Sequence, residues 1–128
     1  MKTTIKEARM YIANARDILS EKAGKDGNYY NDSKYVRMAG DTAWKGVLIA
    51  LDIVFHIKKK SKQRVSVEDY KKAVSTTNKQ VLKMVNEGYQ ILHLSMGYDG
   101  VTTNKVCQAG IEEANRIIEW CEKNTRIA

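Results

Sequence analysis

An all-α fold, an antiparallel up-and-down bundle of four main helices, is what this sequence predicts, and three observations predict it. No proline interrupts the 128 residues, so nothing removes a helical hydrogen bond or forces a kink. Apolar residues recur at intervals of three and four, the period of a helix with one buried face. Turn and capping residues separate stretches of helical length and leave no linker, so residues 1–128 read as one domain.

The first helix starts at Thr4, a capping residue with Glu7 three positions on. Ile5, Ala8, Ile12, Ala15 and Leu19 give its stripe, and Gly24 with Lys25-Asp26-Gly27-Asn28 ends it. The second starts near Asp32 or Ser33 and runs to about Lys59, with Val36, Ala39, Ala43, Val47, Ala50, Leu51 and Val54 on its inner face. Between Val47 and Ile57 apolar residues spread around most of its circumference, which implies a central position or a second interface. Ser66 and Asp69 open the third segment, and the polar Ser75-Thr76-Thr77-Asn78 cluster leaves open whether a short extra helix precedes a longer one. Tyr98-Asp99-Gly100 marks a turn. Thr102 or Thr103 then caps a last helix that buries Val106, Cys107, Gly110, Ala114, Ile117, Ile118 and Cys121.

The totals narrow the function classes. The longest apolar run, Gly46 to Ile57, is interrupted by Asp52 and His56 and is far shorter than the roughly 18 residues of a membrane span. No apolar leader follows Met1, so the cytoplasm is the expected location. Cys107 and Cys121 stand fourteen positions apart on one helix, too far for a mutual disulfide and without zinc-ligand spacing, so both read as core. The +7 net charge sits wholly in residues 1–64, and Lys58, Lys59, Lys60, Lys62 and Arg64 supply five of its cations. That basic patch suits phosphate contacts but contains no aromatic residue to stack bases, and lysines at a helix end also complement the helix dipole.

Short connections bring the first and third turns to one end of the bundle. Tyr29, Tyr30, Tyr35, Met38, His93, Met96, Tyr98 and Asp99 gather there. Tyrosines offer an apolar body and a polar tip, so Tyr29, Tyr30, Tyr35, His93, Tyr98 and Asp99 are candidate binding residues. The competing reading is that they plug the open end. His93 is a possible general base or a hydrogen-bonded structural histidine. Asp52, alone in an apolar run, bonds a tyrosine, lysine or histidine across the bundle or faces water. Two histidines without matching carboxylates offer no metal site, no cofactor motif stands out, and nucleophile-elbow and phosphate-loop motifs are missing.

Tyr29-Tyr30, Lys34 to Gly40, Ala50-Leu51-Asp52 and Leu92 to Gly100 together resemble an uncharacterised family of small bacterial helical proteins. Asp41-Thr42-Ala43-Trp44-Lys45 is similar to a run on the second helix of HEPN and nucleotidyltransferase substrate-binding subunits. That resemblance implies a commonly dimeric helical bundle, in some cases partnering a nucleotidyltransferase-like chain. HEPN ribonucleases carry an Arg separated by four to six residues from a following His. Here Asn86, Glu87 and Gly88 precede His93, and Ile49, Ala50 and Leu51 precede His56, so the catalytic pair is missing. The expectation is a non-enzymatic, homodimeric interaction or substrate-binding module without cofactor. A nucleic-acid-associated protein using residues 58–64 is the alternative, and an enzyme built on His93 and Asp99 a third reading.

Overall fold

The computed structural model describes residues 4–57 and 65–125. Thr4 sets the first helix by accepting a hydrogen bond from the Glu7 N–H at 3.2 Å. From there α1 (Ile5–Asp17) runs on through π-wound turns, Ile18–Ala23, to Gly24. The turn that follows is a miniature hairpin, β1 (Lys25–Asp26) and β2 (Tyr29–Tyr30), with Lys25 opposite Tyr30 and Asp26 opposite Tyr29. Asp32 caps α2 (Ser33–Phe55) by accepting from the Lys34 N–H at 3.0 Å.

Helix α2 stops short of the expected Lys59. His56 takes a left-handed conformation (φ 49°, ψ 49°), and its N–H bonds the Asp52 carbonyl, which turns the chain although Ile57 continues the apolar period. Ser66 and Asp69 form the anticipated reciprocal capping box at the start of α3 (Val67–Ser75). The polar cluster does break the third segment. Thr77 and Asn78 donate back to the Val74 carbonyl, and the Asn78 side chain caps α4 (Lys79–Gly88) through Gln80 and Val81. Helix α4 continues as π-wound turns, Tyr89–Tyr98, and α5 (Asn104–Asn124) follows. Thr103 occupies the cap position of α5 but makes no side-chain capping bond.

The described residues thus form five helices and a two-stranded hairpin, mostly helical as expected. Helix α2 touches α1, α3, α5 and the π-wound end of α4, which accounts for its wide apolar circumference. Buried residues of all five helices join in one cluster, with Ile12, Val47, Leu51, Leu92, Ile117 and Ile118 among the most deeply placed. Helix α2 and the π-wound turns meet closely at Gly40. A methyl group there would lie 2.5 Å from the Leu92 carbonyl oxygen and 2.8 Å from the Gly97 nitrogen, so only glycine lets α2 rest directly on the π-wound backbone. Cys107 and Cys121 are free and fully buried, as the sequence implies.

Candidate functional site

The tyrosine-rich end is assembled by backbone pairing. Tyr30 N–H donates to the Thr102 carbonyl and Asn104 N–H to the Asn28 carbonyl, both at 2.8 Å, while Tyr29 bridges Thr103. Gly100 (φ +65°) reverses the chain after the π-wound turns and packs against Ser33 and Arg37 at the start of α2. Within this frame the tyrosines divide. Tyr30 is buried, its hydroxyl accepts from Gln108 Nε2 at 3.1 Å, and burial pushes its pKa up; it plugs the core. Tyr35 is half-buried with the Lys34 ammonium 5.3 Å from its ring centre. Tyr29, Met38 and Tyr98 point outward, 57%, 43% and 78% exposed, and Asp99 is exposed beside them.

His93 belongs to a different assembly. Its ring stacks on Tyr89, one turn earlier, with centroids 5.2 Å apart, and lies 6.4 Å from Trp44 of α2. Trp44 and Tyr89 meet edge to face at 5.6 Å. Leu48 of α2, Val65, and Val67 and Tyr70 of α3 complete the walls of an open cavity of about 310 Å³. Tyr70 donates its hydroxyl to Asp52 Oδ2 at 3.1 Å, whereas Asp52 Oδ1 is buried and has no partner among the described residues. Trp44, Leu48 and Asp52 follow one another at intervals of four along α2, so one face of one helix carries both an aromatic wall and the carboxylate behind it.

Burial raises the pKa of Asp52, and the Tyr70 hydroxyl only partly offsets that rise. Burial also raises Asp41, against the lowering influence of His93. Tyr70 is pushed far up by burial and by Asp52. A carboxyl group raised by folding binds protons in the native state that the unfolded chain has already released, so stability falls as pH rises through that interval. Asp52→Asn is therefore expected to flatten the pH dependence. Urea midpoints should show the variant gaining on the wild type as pH rises above about 4; a variant that loses ground to the wild type as pH rises contradicts the arrangement.

A family model described as a domain of unknown function (DUF5618) matches residues 3–123. The chain belongs to the DUF5618 family. A solved structure of a protein of unknown function from Dyadobacter fermentans shares 42% identity and superposes with a TM-score of 0.85, covering 97% of this chain and 95% of its own. No curated protein matches.

In this DUF5618 chain the residues singled out from the sequence are thus divided between two places. Tyr29, Tyr30, Tyr35, Tyr98 and Asp99 surround the hairpin end, and His93 lines the aromatic cavity. The basic patch Lys58, Lys59, Lys60, Lys62 and Arg64 lies outside the described residues. Among the described residues no cluster of three or more His, Cys, Asp or Glu side chains could hold a metal ion, and no helix is long and apolar enough to cross a membrane. Sequence reasoning missed Trp44, Tyr70 and Tyr89 as cavity walls. The one available signal was the four-residue spacing of Tyr89 and His93, which places both on one helical face.

Proposed function

We propose that this protein is a non-enzymatic recognition module, a single domain whose hairpin end receives a protein partner. The observation that carries the reading is the outward placement of Tyr98, Tyr29 and Met38 on a surface fixed by backbone hydrogen bonds. Large, partly apolar side chains presented from a fixed backbone supply contact area to a partner. The four long helices are read as an antiparallel bundle with α3 laid beside α2. This agrees with the resemblance to HEPN-like and nucleotidyltransferase substrate-binding accessory subunits, and a nucleotidyltransferase-like chain is the partner it suggests. The use of His93 in ring packing favours binding over acid–base chemistry.

Self-association through α2 is part of the proposal, because Ile49 and Ile53 keep partial exposure after its neighbours have packed. A dimer mass by light scattering at micromolar concentration is expected, and a monomer removes that part. Tagged protein should capture a stoichiometric nucleotidyltransferase-like chain from its native lysate. Tyr98→Ala should weaken that complex about tenfold or more without loss of helicity, since Tyr98 is 78% exposed. Unchanged capture by Tyr98→Ala and Tyr35→Ala removes the hairpin end as the surface. Nucleic acid released by salt would instead establish the basic 58–64 stretch as the functional element.

A further inference from the structure

We propose that the cavity between α2, α3 and the π-wound end of α4 is a binding site for a small organic cation carrying a methylated, quaternary ammonium group. This site is independent of the hairpin end. Trp44, Tyr70, Tyr89 and His93 bring four rings from three elements to one space of about 310 Å³, at the lower end of the volumes that enclose small ligands. The Trp44 and Tyr89 planes meet at 61°, forming a corner of a box. Ring faces carry the negative part of the aromatic quadrupole, and those open to the cavity attract a cation without bonding to it.

Two carboxylates lie close to the cavity. Asp52 lies behind Tyr70, accepts its hydroxyl at 3.1 Å and keeps a second oxygen unpartnered among the described residues. A phenol that donates to a carboxylate becomes a more electron-rich ring. Asp41 adds a second carboxylate close enough to interact with His93. These groups oppose a carboxylate or phosphate ligand.

The chain itself places one cation against these rings. Lys71 places its ammonium 4.8 Å from the Tyr89 ring centre, and its ion pair with Glu68 is long, at 3.9 Å. The remaining walls, Leu48, Val65 and Val67, cannot replace the water that hydrates a primary ammonium. A methylated ammonium is weakly hydrated and spreads its charge over an apolar surface, so it loses less on entering.

Choline is the probe, and 3,3-dimethyl-1-butanol, its uncharged carbon analogue, is the control. The chain labelled with ¹⁵N has two indole signals. Trp44 lines the cavity, whereas Trp120 stacks on Phe55 elsewhere. Choline should shift the Trp44 indole signal saturably and leave that of Trp120 in place, with the neutral analogue about tenfold weaker. Tyr89→Leu should weaken choline about tenfold. Trp44 is 6% exposed, so its removal endangers folding. Lys71→Ala avoids that difficulty and should tighten choline several-fold by removing a like charge 4.8 Å from the Tyr89 ring centre. The proposal is overturned if Trp44 does not respond up to about 20 mM choline, if both indoles move together, if the two probes bind equally, or if Lys71→Ala weakens binding.

Discussion

Gly40→Ala is expected to lower the stability of the protein by about 3 kcal/mol, the opposite of what helix propensity dictates. In an exposed helix interior the same change would gain about 1 kcal/mol. Here the added carbon would lie 2.5 Å from the Leu92 oxygen, 2.6 Å from Met96 Cβ and 2.8 Å from the Gly97 nitrogen. Two of these three atoms are backbone, so no side-chain rotation relieves the collision. Helix α2 and the π-wound turns must move apart, and every contact between them loosens. Overpacking of a core ordinarily costs about 1–3 kcal/mol, and a backbone collision belongs at the upper end. A thermal midpoint lower by about 10 °C or more is the expected reading. A midpoint equal to or above that of the wild type would show that the two elements do not meet as described.

Leu92→Ala should cost about as much, roughly 3 kcal/mol, for a different reason. Leu92 is fully buried, its carbonyl faces Gly40, and its side chain faces Gly110 of α5. It therefore stands where α2, α5 and the π-wound turns meet. Truncation removes transfer free energy and leaves a cavity, and Leu→Ala changes in such places cost about 2–5 kcal/mol. Gly110, which the Leu92 side chain faces, offers no side chain that could turn inward to fill the space. Denaturant unfolding should show a lower midpoint with an unchanged slope. The two substitutions share one contact surface, so their effects should not add. The Gly40 methyl group loses part of its penalty once the turns around residue 92 can shift into the cavity. A double variant as unstable as the sum of both would mean that the sites do not communicate.

The parts of the fold that were legible beforehand are those decided within a few residues. Thr4, Asp32, the Ser66–Asp69 pair and the Gly100 turn each act through a local hydrogen bond or a local backbone conformation. Periodicity leaves the division at Ser75–Asn78 open, because both halves continue an apolar stripe; the Asn78 cap decides it. The apolar pattern places the end of α2 too late, because Ile57 extends a period that the left-handed His56 has already terminated. The hairpin was too short for alternation to register, at two residues per strand.

The site was less legible, for a physical reason. Tyr29 to Tyr35 lie close together in sequence, so they invited a single surface, yet Tyr30 turns inward while Tyr29 stays out. Trp44, Tyr70 and Tyr89 are far apart along the chain and meet only because α3 folds back onto α2. No local rule places a nine-residue helix on a particular face of its neighbour. Asp52 is anomalous within its apolar run, and the sequence leaves it either bonded across the bundle or facing water. Its partner Tyr70 could be identified only in the folded chain.

The two cysteines give the molecule an internal clock. Both thiols are fully enclosed, and burial pushes them up to about 11 at Cys107 and about 12 at Cys121. Thiolate, the form that alkylating reagents attack, is therefore both scarce and unreachable in the native state. Modification must wait for an opening event, and its rate counts such events. Because one thiol lies near the beginning of α5 and the other near its end, separate quantitation of the two adducts would distinguish fraying of either terminus from complete unfolding, without any engineered label.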